Sequence, residues 1–283
     1  DNGYLRGFQT VVEPWRQAEA GTDAPPAVWR RETAAAMRSA DSRPLFLYLH
    51  LMQPHAPYGA LRPRADLSED NLTEVGNAYR SEVRLADKCV GAVLDAIGSR
   101  KDVLTIVTAD HGEALGRLHH TFGHDHVFYD EVVRIPLLMS GPGLEPARVQ
   151  DLARQVDLAP TIAALCGLGA AEVRRGTALS AVDPPKGAAL IQFPLRGDRD
   201  AIAVTDGRTK WIVRGAAEPL LHFDLALDPT EQTPTGTLPE GAPKWQDLVG
   251  RLERGGIHHA PAGREAPNDE RQARLDALGY AGD

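Results

Sequence analysis

Cysteine is scarce in this chain of 283 residues: Cys89 and Cys166 stand far apart, so no disulfide framework can form. No CxxC or CxxH pair offers a structural zinc site, and both cysteines fall in helical patterns where they read as small buried hydrophobes. Positive charge is short as well. Against 39 Asp and Glu stand 31 Lys and Arg, a formal net charge of -8. That balance excludes a general nucleic-acid binder, which needs surplus cations to displace counterions from phosphates, although a local basic pocket stays compatible with it. No apolar run is long enough to span a membrane, and the first residues lack the basic segment and apolar stretch of a secretory leader. No internal repeat is evident. Asp1-Asn2-Gly3, without a methionine, reads as a turn in mid-domain, so further sequence is expected upstream.

What is present suits a globular protein. With 42% hydrophobic residues, the chain can bury one large core, or one core plus a small appended domain. An Ala-rich helical pattern runs from near Ala27 to Ala40 and breaks at Asp41-Ser42-Arg43-Pro44. Leu45-Phe46-Leu47-Tyr48-Leu49-His50-Leu51 is almost unbroken in its apolar character and predicts a strand buried on both faces of a parallel sheet. Tyr79, Val83, Ala86, Val90, Val93 and Ile97 alternate at spacings of four and three, which predicts a long helix with one face against that sheet. Val103 to Thr108 predicts a second buried strand, so strand, helix and strand would form a right-handed parallel crossover. Ile135 to Met139 predicts a third strand, with Pro136 near its start, where a missing donor is tolerated.

Asp157 can cap a helix through Leu165, with Pro160 in its first turn and Gly167 at its end. The pattern then changes. Ala201–Thr205, Lys210–Arg214 and Leu220–Phe223 alternate as short antiparallel strands. Terminal helices are expected around Trp245–Leu252 and Glu270–Leu278, with a loop from Gly255 to Pro267.

Ligands in open parallel sheets bind beyond the carboxyl ends of the strands, so the loops after the first two predicted strands should face one crevice. One contributes His55, the other Asp110 and His111. A carboxylate and an imidazole on a sharp Gly-containing turn can approach one divalent cation together. Taken alone, Asp110-His111-Gly112 is equally a turn with a helix cap, and His55 can be a loop histidine bonded to backbone.

An ordered set of motifs points further. Pro44–Tyr58 (PLFLYLHLMQPHAPY), the helix Tyr79–Ile97, and Leu104–Gly116 (LTIVTADHGEALG) resemble the sulfatase family of the alkaline-phosphatase superfamily. Gly123-His124, Tyr129-Asp130-Glu131, Arg134-Ile135-Pro136, Val156 to Thr161, Lys210-Trp211-Ile212, Phe223-Asp224-Leu225 and Asp228-Pro229-Thr230-Glu231 continue the likeness in order. The resemblance implies an α/β fold with a mostly parallel, alkaline-phosphatase-like sheet flanked by helices. That sheet would be incomplete at the amino end and followed by a small antiparallel carboxyl-terminal unit. It divides the chain into a partial sulfatase-like domain over 1–185 and an α+β subdomain with a loop-rich tail over 186–283.

The resemblance further implies that Asp110 and His111 ligate a divalent metal, calcium first, and that His55 contacts the sulfuryl oxygens or the leaving group. His124 takes the place of a second substrate-binding or proton-donating group, with His119, His120 and His126 as nearby alternatives. Glu113, Asp130 and Glu131 read as capping or surface residues, or as supports for metal ligands. Lys210 reads as structural or solvent-facing.

The family's nucleophile, a formylglycine made from the first residue of C/S-x-P-x-R, has no counterpart: Cys89 and Cys166 are followed by the wrong residues, and Ser140-Gly141-Pro142-Gly143-Leu144 ends in leucine. No Asp-Asp pair occurs either, so the remaining metal carboxylates are expected upstream, as is the formylglycine. Three readings follow. The first is a fragment of a metal-dependent sulfatase acting on a small-molecule or glycan sulfate ester, inactive alone. The second is a phosphodiesterase, phosphonate hydrolase or phosphotransferase of the same superfamily. The third is a non-catalytic homologue. An exported location, periplasmic or extracellular, would follow from an upstream signal.

Overall fold

A computed structural model of the chain describes residues 8–12, 24–59, 61, 66–124, 127–168, 176–179, 189–193, 201–214 and 220–235. The expected terminal helices and the loop between them lie outside the described residues. The described residues fall into two compact units, one ending at Arg100 and one starting at Lys101.

In the first unit, α1 (Pro26–Ala40) starts on Pro25 and Pro26, where a missing N–H costs nothing, and ends with Arg38 beside its exposed carbonyls. Helix α2 (Glu69–Ile97) is capped by Ser68, whose hydroxyl accepts from the Asn71 N–H at 3.4 Å, and it carries Glu69 and Asp70 at its positive end. It stops at Gly98, whose φ of 65° suits a residue without a side chain. Trp29 of α1 packs with Cys89 and Val93 of α2 and with Ala24, and Leu49, Leu51 and Ile97 close over this cluster.

The long helix therefore stands as expected, but its buried face includes Leu72, Val75 and Cys89, while Val83 is exposed. Leu45–Leu51 forms no strand ladder among the described residues, so the predicted parallel crossover is not formed there. Only Leu49 and Leu51 turn onto the core; Leu45, Phe46, Leu47 and Tyr48 are exposed, with Phe8 against the Phe46 and Tyr48 rings. A run of apolar residues becomes a sheet strand only where a neighbour takes up its backbone groups.

The second unit begins with β1 (Thr105–Thr108), paired antiparallel to β4 (Leu137–Ser140), with Thr105 opposite Ser140. Between them lie β2 (Ala114–Leu115), β3 (Phe122–Gly123) and the single turn α3 (Asp130–Val133). A short turn of 3-10 helix, Gln155–Asp157, leads into α4 (Leu158–Leu165). Asp157 does not cap α4 as expected. Its buried carboxylate is held by the Arg154 guanidinium at 2.7 Å and accepts the Thr177 N–H, because a bidentate partner outcompetes a helix N–H for it. Cys166, expected to be buried, is exposed beyond the end of α4.

The antiparallel unit expected from residue 201 is present, with an additional strand. It is a meander of β5 (Ala189–Phe193), β6 (Ala201–Thr205), β7 (Thr209–Arg214) and β8 (Leu221–Asp224), each antiparallel to the next. Asp206 shapes the β6–β7 turn by accepting from the Arg208 and Thr209 N–H groups. Ala203 pairs with Ile212, and Lys210 pairs with both Thr205 and Phe223, so these side chains share one face. That face packs on Phe128, just before α3. Every strand pairing among the described residues is antiparallel, so the parallel part of the expected sheet is not among these pairings.

Burial of the His222 imidazole on β8, outweighing the pull of Asp224, holds it below the ordinary histidine value. A base with a depressed folded-state value binds fewer protons folded than unfolded. Its stabilising contribution is thus complete above about pH 6.5 and is lost as the pH falls toward the folded value. Thermal melts in steps from pH 7.5 or so downward should show this loss, and His222→Gln should flatten it. An unchanged pH slope in that variant would show that another group is responsible.

Candidate active site

The Asp110-His111 turn follows β1 directly. Gln155 pins its backbone from the other side, its amide donating to the carbonyls of Ala109 and Asp110 at 2.9 Å each. Asp110 Oδ1 accepts the His111 N–H at 2.9 Å, and Asp110 Oδ2 lies 3.8 Å from His111 Nε2. Nδ1 of His111 meets the Gly112 carbonyl at 2.9 Å. A carbonyl only accepts, so Nδ1 carries the proton and Nε2 the lone pair. That Nε2 is buried and has no hydrogen-bond partner.

An orphaned buried imidazole nitrogen next to a carboxylate oxygen is the arrangement that a divalent cation would satisfy, so the residues present fit such an ion. They supply part of a shell. Among the described residues no group of three His, Cys, Asp or Glu side chains converges as a metal site.

Gly112 sets the next contact. Its N–H donates to the Val132 carbonyl at 2.6 Å, and the Glu113 N–H donates to the Glu131 carbonyl at 3.0 Å. A Cβ at position 112 would stand 2.4 Å from the Glu131 carbonyl oxygen, so only glycine lets the turn rest on α3.

His124 joins this turn. Strands β2 and β3 pair Ala114 with Gly123, which places Glu113 and His124 next in the ladder. His124 Nδ1 meets Glu113 Oε1 at 3.2 Å, both side chains being largely buried. The His124 ring stacks on the His111 ring, with centroids 3.8 Å apart and planes 25° from parallel. Glu113, read from sequence as a capping, surface or supporting residue, thus holds a histidine from the buried side.

The alternatives to His124 sort themselves. His119 is engaged by Glu131 at 2.7 Å, by the Glu231 carbonyl at 3.1 Å and by the Tyr129 ring, stacked at 3.4 Å. His120 is exposed. His126 lies outside the described residues. Asp130 is a buried-cation partner instead of a capping residue, because Lys210, read from sequence as structural or solvent-facing, is fully buried against it.

His55 belongs to the first unit. Its loop is anchored by Tyr58, which is buried with its ring edge-on to Tyr79 of α2 at 5.4 Å and exchanges backbone bonds with Leu61. The His55 N–H closes a turn on the Met52 carbonyl, and its Nδ1 donates to the Ala56 carbonyl at 2.6 Å, leaving Nε2 as the acceptor nitrogen.

The Sulfatase family profile matches residues 11–168, more than half of the chain. Choline-sulfatase of Rhizobium meliloti is 27% identical over 219 residues, which is 74% of this chain and 42% of that protein. Among solved structures, a 2-O GAG sulfatase superposes with a TM-score of 0.55 at 19% identity, covering 77% of this chain and 47% of the other. A phosphonate monoester hydrolase from Silicibacter pomeroyi gives 0.53 at 20% identity, covering 81% and 58%. These two show the alkaline-phosphatase-like α/β fold. The chain spans less than half the length of the choline-sulfatase. On the family match, the ordered motifs and the shared fold, the chain belongs to the sulfatase family.

Proposed function

We propose that the chain contributes the Asp110-His111 cation ligands and the histidine proton donor of a sulfatase that hydrolyses sulfate monoesters of a small molecule or a glycan. One observation carries this reading: the buried, partnerless Nε2 of His111, with its tautomer set by Gly112 and a carboxylate oxygen of Asp110 beside it. A bound divalent ion, calcium first, would act there as a Lewis acid that draws charge from the sulfuryl oxygens.

The side chains then divide the remaining work. Asp110 and His111 hold the cation, and Gln155 and α3 keep their turn from shifting. Glu113 fixes the His124 ring through Nδ1, so Nε2 is the nitrogen that passes a proton to the departing oxygen. His55 keeps the role the resemblance implies, a contact to the sulfuryl oxygens or the leaving group. No C/S-x-P-x-R motif occurs in the chain, so formylglycine does not fit any residue here and no step is assigned to it.

The choline-sulfatase supports a sulfate ester as substrate, while the likeness to a phosphonate monoester hydrolase is one of fold. The full-length protein, assayed with matched aryl esters, should show the higher kcat/KM on the sulfate monoester. Preference for the phosphonate monoester would replace this reading with phosphoryl chemistry.

A further inference from the structure

Lys210 lies fully buried on the face of β7 that it shares with Ile212. Its ammonium reaches three acceptors: the Phe128 carbonyl at 3.2 Å, an oxygen of Asp130, and Glu231 Oε1 at 2.8 Å. Glu231 Oε2 accepts the N–H of Asp130, the first residue of α3. One buried cation and one buried carboxylate therefore grip the start of α3.

The other face of the same turn bears the site, since the Glu131 and Val132 carbonyls receive the Glu113 and Gly112 N–H groups. Gly112 is in such close approach that the Asp110-His111 turn cannot settle nearer to α3. Any movement of α3 is thereby passed to the turn.

Stability does not account for the cluster. Burying a lysine and a carboxylate, with a second carboxylate largely covered, carries a large desolvation cost, and apolar residues of the same volume are commonly as stable or more so. Burial indeed pushes the Glu231 carboxyl above its ordinary value, against the opposing pull of Lys210. What ions supply and an apolar patch does not is a directional, fixed geometry.

We propose that Lys210, with Glu231 and Asp130, is a positioning residue for the cation site: it fixes α3 and, through the α3 carbonyls, the placement of Asp110 and His111. This inference rests on the reading of Asp110 and His111 as cation ligands.

Calcium titration of the full-length protein by calorimetry tests it, with thermal midpoints measured alongside. Lys210→Met should raise the calcium Kd by about 10–100-fold, the range seen when groups that orient metal ligands are removed. Glu231→Gln, which leaves Lys210 on Asp130, should raise it less. Val204→Ala, a buried truncation on the opposite face of the sheet, should lower the midpoint and leave Kd unchanged. Wild-type affinity in Lys210→Met, or an equal Kd rise in Val204→Ala, overturns the proposal. Should Lys210→Met fail to fold, an unchanged Kd in Glu231→Gln overturns it alone. A wild-type protein that takes up no calcium removes the calcium-site reading itself, and this inference with it.

Discussion

Asp110→Ala in the full-length protein is expected to cut sulfate-ester turnover by at least about 10²–10³-fold, the loss that follows removal of one fixed stabiliser of developing charge. Two functions leave with this side chain. Oδ2 is the oxygen nearest His111 Nε2, so without it one imidazole remains to hold an ion that prefers oxygen ligands. Oδ1 accepts the His111 N–H and so helps to set that ring. The fold should be indifferent. The Asp110 side chain is 65% exposed, and Gln155 holds the backbone through carbonyls that the substitution keeps. Its thermal midpoint should therefore stay near wild type, as for exposed positions generally. Asp110→Asn separates the two functions, because an amide oxygen can still accept the His111 N–H but brings no charge. Equal losses in both variants assign the effect to the cation.

His124→Ala should lower kcat by about 10²–10⁴-fold, the range for loss of a general acid, while the protein keeps its metal. The split between rate and metal content distinguishes a proton donor from a ligand. His124 touches the site through its ring stacked on His111 and through Glu113, and neither contact supplies an atom to Asp110 or to His111 Nε2. Glu113→Gln keeps a hydrogen-bonding group but loses the charge that orients the imidazole, and a smaller loss, about 10–100-fold, is expected. Metal loss in His124→Ala would instead make this histidine a ligand.

The turn that carries Asp110 and His111 was legible in residue order. An apolar run ending in Asp110-His111-Gly112 identifies a strand-end turn, and the structure puts β1 there, with the glycine needed for close approach to α3. The Tyr79–Ile97 part of α2 and the hairpin β6–β7 were readable because their apolar positions keep a helical or a strand period, whereas the Glu69–Ala78 start of the helix was not read. The Glu113–His124 pair was not, since β2 and β3 are two residues each and too short to show a period. Lys210 was read as structural or solvent-facing, and the structure takes the structural alternative. The clue lay in alternation: positions 210 and 212 share a face, and Ile212 is core. Leu45–Leu51 carries the composition of a buried strand, but composition states a capacity for pairing and says nothing of whether a partner strand is present.

The metal content of purified full-length protein, measured by mass spectrometry for the wild type and for His111→Ala, bears most directly on whether this turn is a cation site. About one divalent ion per chain in the wild type, lost from the variant, is the expected result, because His111 Nε2 is the nitrogen the turn presents. Equal metal in both proteins would place the ion elsewhere and contradict the assignment of Asp110 and His111.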